Sequence, residues 1–122
     1  MWIFMSDAFL SIVADKKEDS HLLVRARHEN DITAVFPKAV VTSDEGTDYK
    51  FRASISRPEV ETVLLEHIQG IDYSNFKATI SDEVRHKSYM NVWRNMRNFE
   101  RHYYPQPESQ KRKGWDRTRP RA

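Results

Sequence analysis

The chain has 122 residues, 39% of them hydrophobic and 31% charged, with a formal net charge of +2. That length fits one domain able to bury a core unaided, and the lack of cysteine removes disulfides, thiolate zinc sites and cysteine nucleophiles. The total hides a split: residues 1–80 carry 9 Lys+Arg against 13 Asp+Glu, a net of −4, and residues 81–122 carry 11 against 5, a net of +6. Charge distribution of this kind bears on partners rather than on fold.

The chain opens on Trp2–Met5 and Phe9–Val13, two bulky runs around Ser6-Asp7-Ala8. They predict a tight hairpin, or one strand with a bulge. Neither run has a basic leader or a small-residue cleavage site, and none approaches the roughly 18 apolar residues of a membrane helix. A soluble, unprocessed cytoplasmic protein is expected. After the solvated turn Asp15–Ser20, Leu22–Arg27 alternates as a strand, with Leu22, Val24 and Ala26 on one face and Leu23, Arg25 and Arg27 on the other.

His28–Phe36 predicts a short helix capped by Asn30 or Asp31 and ended by Pro37. Ala39–Thr42 reads as a strand, and Ser43–Asp48 as a turn in which Gly46 is free to take a positive φ. Tyr49–Ser56 is the clearest strand, with Tyr49, Phe51, Ala53 and Ile55 on one face and Lys50, Arg52 and Ser54 on the other. Ser56-Arg57-Pro58-Glu59 is a capping box with proline in the first turn. It opens a helix through Val60, Val63, Leu64 and Ile68 that Gly70 stops. Ile71–Ile80 is irregular. Ser81, with Asp82 and Glu83 in the first turn, starts a longer helix ending near Tyr104.

This order predicts an α+β fold: an antiparallel sheet of four to five strands with helices on one face, plus a C-terminal helix and a flexible tail. The ferredoxin-like arrangement is the preferred version. Residues 1–104 form the expected domain. Residues 105–122, basic and poor in apolar side chains, form the expected tail.

The last helix is the best candidate surface. Tyr89, Val92, Trp93, Met96, Phe99 and Tyr103 share a face at helical spacing, and the plainer expectation is that this stripe packs on the sheet. Lys87, Arg94, Arg97 and Arg101 share a flank, with Asn91, Asn95 and Asn98 opposite. A basic stripe edged by amides suits phosphates or an acidic protein, although charge runs are usually solvated faces. The tail adds Lys111, Arg112, Lys113, Arg117, Arg119 and Arg121 around Trp115. That mixture suits nucleic acid through phosphate charge and base stacking, or simply solubilises. Arg25, Arg27, Lys50 and Arg52 make a possible second patch, unless acids such as Asp48 pair with them.

Catalytic signals are poor. His21, His28, His67, His86 and His102 lack metal-ligand spacing. His67 reads as a core or boundary histidine, and three glycines do not build a phosphate-cradling loop. No catalytic residue, metal, cofactor or small-molecule substrate is indicated.

Met1-Trp2-Ile3-Phe4, Phe9–Val13, Val24–Arg27, Asp48-Tyr49, Phe51–Ala53, Ile71–Lys77, Tyr89 and Val92-Trp93 together resemble a family of small uncharacterised bacterial proteins. The resemblance runs in order over about residues 1–96, and Asp72-Tyr73-Ser74-Asn75-Phe76-Lys77 is its most specific piece. It lends no activity, and everything from Arg97 onward lies outside it. Within this chain that segment reads either as a loop whose polar and aromatic groups shape a binding surface or, the favoured reading, as a structural corner with Tyr73 and Phe76 buried.

The leading expectation is therefore a small non-enzymatic binding module whose partner is nucleic acid or an acidic protein surface. The alternative is a protein-interaction or inhibitor module, of a phage or defence kind, using an exposed apolar patch at Trp2, Phe4, Phe9 or the helix aromatics. A third is an enzyme site assembled from His67, Asp72 and Tyr73.

Overall fold

In a computed structural model, which describes residues 1–107, the chain is α+β. Five strands form one antiparallel sheet in the order β1-β2-β3-β5-β4. They are β1 (Trp2–Met5), β2 (Ala8–Ala14), β3 (His21–Ala26), β4 (Thr42–Ser43) and β5 (Phe51–Ser56). The helices are α1 (Asp31–Val35), α2 (Arg57–Gln69) and α3 (Glu83–Tyr103), with a 3₁₀ turn at Phe76–Thr79.

The first three strands are sequence neighbours joined by short turns, and β5 then adds beside β3. This meander replaces the crossover connections of the expected ferredoxin-like arrangement. The physical reason is local: Ser6-Asp7 lets Met5 pair directly with Ala8, so β2 returns at once beside β1.

The period-2 alternation sets the two faces. Leu10, Ile12, Val24, Ala26, Ala53 and Ile55 bury against Ile32, Val35, Phe36 and Val60 from α1 and α2. The opposite face receives Phe9, Ser11, Leu23, Arg25 and Arg52. Phe4 stacks on Phe9 at 4.6 Å and Trp2 meets Phe9 edge-on at 6.3 Å, so the predicted apolar trio forms its own cluster, with only Trp2 strongly exposed.

Several local expectations change. Helix α1 starts at Asp31, because His28 folds its own turn, its carbonyl accepting from the Asp31 amide at 3.2 Å. Asn30 holds the N-cap position, as expected, but makes no side-chain cap hydrogen bond, and the Asp31 carboxylate accepts from Phe9 N at 3.0 Å. The strand expected at Ala39–Thr42 shrinks to Thr42–Ser43, since the Ala39 amide is committed to Phe36 O at 3.0 Å. Gly46 needs no positive φ: Asp44 Oδ1 accepts its amide at 2.9 Å in an Asx turn.

Ser56 caps α2 by accepting from Glu59 N, with Pro58 in the first turn, and Gly70 ends it. Ile68 and His67 are exposed rather than core-facing. Asp82, not Ser81, caps α3, its Oδ2 accepting from Arg85 N at 2.8 Å. Tyr73 is exposed and only Phe76 is partly buried, so the corner at 72–77 is less packed than expected.

By contacts the chain divides into two compact units, residues 1–85 and a second beginning at His86. No helix among the described residues is long and apolar enough to cross a membrane.

Candidate functional site

Helix α3 carries the first candidate surface. Tyr89, Val92, Met96, Phe99 and Tyr103 follow one another in steps of three, four, three and four, the spacing of a helix–helix seam. Tyr89 is buried, but Trp93 is 42%, Met96 56%, Phe99 57% and Tyr103 63% exposed. Beyond Tyr89 most of the stripe is exposed. The seam spacing was present in the sequence, and it distinguishes a narrow partner-facing seam from the broader stripe of a core helix.

Lys87, Arg94 and Arg101 are exposed on the neighbouring flank. Arg94 donates to Asn91 Oδ1 at 2.8 Å. Arg97 is half-buried, its guanidinium 5.0 Å from the Trp93 ring centre, with a buried Nε lacking a hydrogen-bond partner among the described residues. Against these cations α3 sets only Glu83 and Glu100. Lys111, Arg112, Lys113, Trp115 and Arg117 lie outside the described residues.

The second predicted patch divides in two. Arg27 lies 3.5 Å from Asp48 Oδ1 and Lys50 lies 3.1 Å from Glu45, so these two have ion-pair partners. Arg25 and Arg52 face each other as direct cross-strand partners of β3 and β5, and neither has an ion pair among the described residues. They belong to a row running Ser11, Arg25, Arg52, Thr42 across four strands.

Arg25 is held firmly. It donates to the buried Ser11 Oγ at 2.7 Å, its guanidinium sits 4.5 Å from the Tyr49 ring centre, and its Nε is buried without a partner. Arg27 lies 4.2 Å from the same ring, so Tyr49, only 3% exposed, is flanked by two cations. Arg52 is fixed by its Nε donating to Tyr49 O at 3.4 Å.

Arg25 and Arg52 line a cleft of about 750 Å³ with Lys16, Lys17, Thr42 and an apolar wall of Val13, Leu23 and Val40. Its two acids are engaged locally: Asp44 accepts from Gly46 N, and Asp15 accepts from Ser54 Oγ at 2.5 Å and Lys17 N at 2.9 Å. Ser54 hydroxyl donation, then the Lys17 amide, holds the Asp15 carboxyl below its ordinary value.

At the same cleft edge Ser54 Oγ lies 3.0 Å from His21 Nδ1, and His21 Nε2 lies 3.5 Å from Glu18. The trio resembles a nucleophile–base–acid line, but the proton direction is wrong for it. Ser54 gives its proton to the Asp15 carboxylate, so His21 Nδ1 must donate into the serine lone pair. Ser54 is a link between strands rather than an activated nucleophile. Sequence reading missed it because Asp15, His21 and Ser54 meet only through strand register.

A second, more apolar cleft of about 820 Å³ lies between β1 and α2, walled by Ile3, Met5, Val63 and Leu64. His67 and Tyr73 both border it, as do Asp7 and Glu66, whereas Asp72 does not. No hydrogen bond joins these polar side chains among the described residues. No group of three metal-ligating side chains occurs among the described residues.

Comparison of the chain with protein-family models, with curated proteins and with solved structures finds no match.

Proposed function

We propose that this chain is a small non-enzymatic binding module that docks α3 onto an acidic protein partner. The observation that supports this most is the exposed seam of Val92, Met96, Phe99 and Tyr103 beside the cations Lys87, Arg94 and Arg101. An apolar seam in three–four spacing is completed by a hydrophobic groove, and a basic flank favours a groove with an acidic rim. A nucleic-acid partner would use the flank but leave Met96 and Phe99 with nothing apolar to bury, because a reading helix presents polar side chains to base edges. The inhibitor role is one form of the same reading. Lys111, Arg112, Lys113 and Arg117 would add positive charge to the docking chain. A cysteine-free composition and the resemblance to small bacterial proteins favour a bacterial cytoplasmic setting.

Affinity capture tests it with four baits: the full chain, a version ending at Tyr104, Phe99→Asp, and Arg94→Glu/Arg101→Glu. Each is run with and without nuclease. One acidic protein that survives nuclease, is lost with Phe99→Asp and weakens with the double reversal supports the proposal. Recovery of nucleic acid alone, or of the same protein by Phe99→Asp, overturns it.

A further inference from the structure

We propose that the cleft around Arg25 and Arg52 is a binding site for a small phosphate monoester. This is independent of the α3 reading and uses another surface. Two guanidiniums placed directly opposite on neighbouring strands repel one another. Elsewhere in this sheet cations are neutralised, Arg27 by Asp48 and Lys50 by Glu45. Of the four cations Arg25, Arg27, Lys50 and Arg52, the cross-strand pair Arg25–Arg52 is the one without a carboxylate partner among the described residues, and it opens on a cleft.

The arrangement is pre-organised. Ser11 and the Tyr49 ring fix Arg25, and the Tyr49 carbonyl fixes Arg52. Little side-chain entropy remains to be lost on binding. Among the described residues the terminal nitrogens of Arg52 and Nη1 of Arg25 have no hydrogen-bond acceptor. They offer forked donors of the geometry that phosphate oxygens accept. Thr42, next in the row, borders the cleft with its hydroxyl donating to Arg52 O at 3.5 Å, and Lys16 and Lys17 add charge at the margin.

Charge selects the ligand class. The lining holds four cations, Lys16, Lys17, Arg25 and Arg52, against two acids, Asp15 and Asp44, a net of +2. A monoester dianion matches that balance, whereas a carboxylate supplies one negative charge. The wall of Val13, Leu23 and Val40 suits an apolar or aromatic body, and about 750 Å³ lies within the usual range for small-molecule sites.

The test is an NMR titration of the full chain with phenyl phosphate, inorganic phosphate and benzoate, following the Arg Nε–H signals and the amides of Thr42 and Ala53. Saturable shifts centred on these groups are expected with phenyl phosphate. Inorganic phosphate, lacking the apolar body, should bind more weakly, and benzoate at least about tenfold more weakly.

Arg52→Gln should weaken phenyl phosphate by at least about tenfold, while Arg27→Gln, outside the cleft, changes it less than about twofold. Asp44→Asn, which removes a negative charge from the wall, should tighten it. Backbone spectra of each variant establish that the fold is kept. The proposal is overturned if phenyl phosphate gives no saturable shift, if benzoate binds as tightly, or if Arg27→Gln and Arg52→Gln lose affinity equally.

Discussion

Asp31 and Arg85, 54 residues apart, form a bidentate ion pair, with Nη2 2.6 Å from Oδ1 and Nη1 3.1 Å from Oδ2. The aspartate side chain is 3% exposed and the arginine side chain 16%. Asp31 Oδ2 also accepts the Phe9 amide at 3.0 Å, so one carboxylate ties the start of α1 to β2 and to the entry of α3.

Breaking such a pair from one side leaves a desolvated charge behind. Asp31→Ala is expected to cost about 3–5 kcal/mol of unfolding free energy. Chemical denaturation of Asp31→Ala, Arg85→Ala and the double variant measures it. The double variant should lose less than the two single losses added, by at least about 1 kcal/mol.

The α3 cap makes a smaller claim. Asp82 Oδ2 satisfies the Arg85 amide, so Asp82→Ala should lower stability by about 0.5–2 kcal/mol. Asp82→Asn should retain most of it, because the amide oxygen still accepts.

Acid stability carries the mark of Asp15. Its carboxyl is held below the ordinary value, chiefly by the Ser54 hydroxyl. A carboxylate with a depressed folded-state pKa adds stability above the unfolded pKa, and that stability is lost as pH falls through the folded value. Urea midpoints taken downward from about pH 5 should therefore fall less steeply for Ser54→Ala than for the parent chain.

The exposed seam separates binding from stability. Phe99→Asp lies on an open helix face, so its effect on unfolding should stay within about 0.5 kcal/mol. Thermal melts beside the capture experiment check this. Loss of the partner together with a large loss of stability would mean that Phe99 belongs to a core.

Strands β3 and β5 were legible because they alternate cleanly, β1 and β2 because they are bulky runs around Ser6-Asp7, and α2 because Ser56, Pro58 and Gly70 mark its ends. The Asp31–Arg85 pair was hidden, since an acid opening a short helix reads as a cap and nothing local points to an arginine so far away. Arg25 and Arg52 were both legible as outward cations. Their opposition was not, because it depends on which strands pair and in what register. The exposure of α3 was misread because apolar residues on one helix face indicate a partner surface without saying whose it is.

Of the eleven buried residues that make up the main core cluster, eight, from Ala8 to Phe36, are supplied by β1-to-α1 sequence; only Ala53, Ile55 and Val60 come later. A chain made from its N-terminus therefore releases most of its core early. The three-stranded meander needs only local contacts and assembles quickly. Its β3 edge then waits, unpaired, until Phe51–Ser56 has been synthesised. During that interval the nascent meander is the species most open to pairing with a neighbouring chain, and the arrival of β5 closes the window.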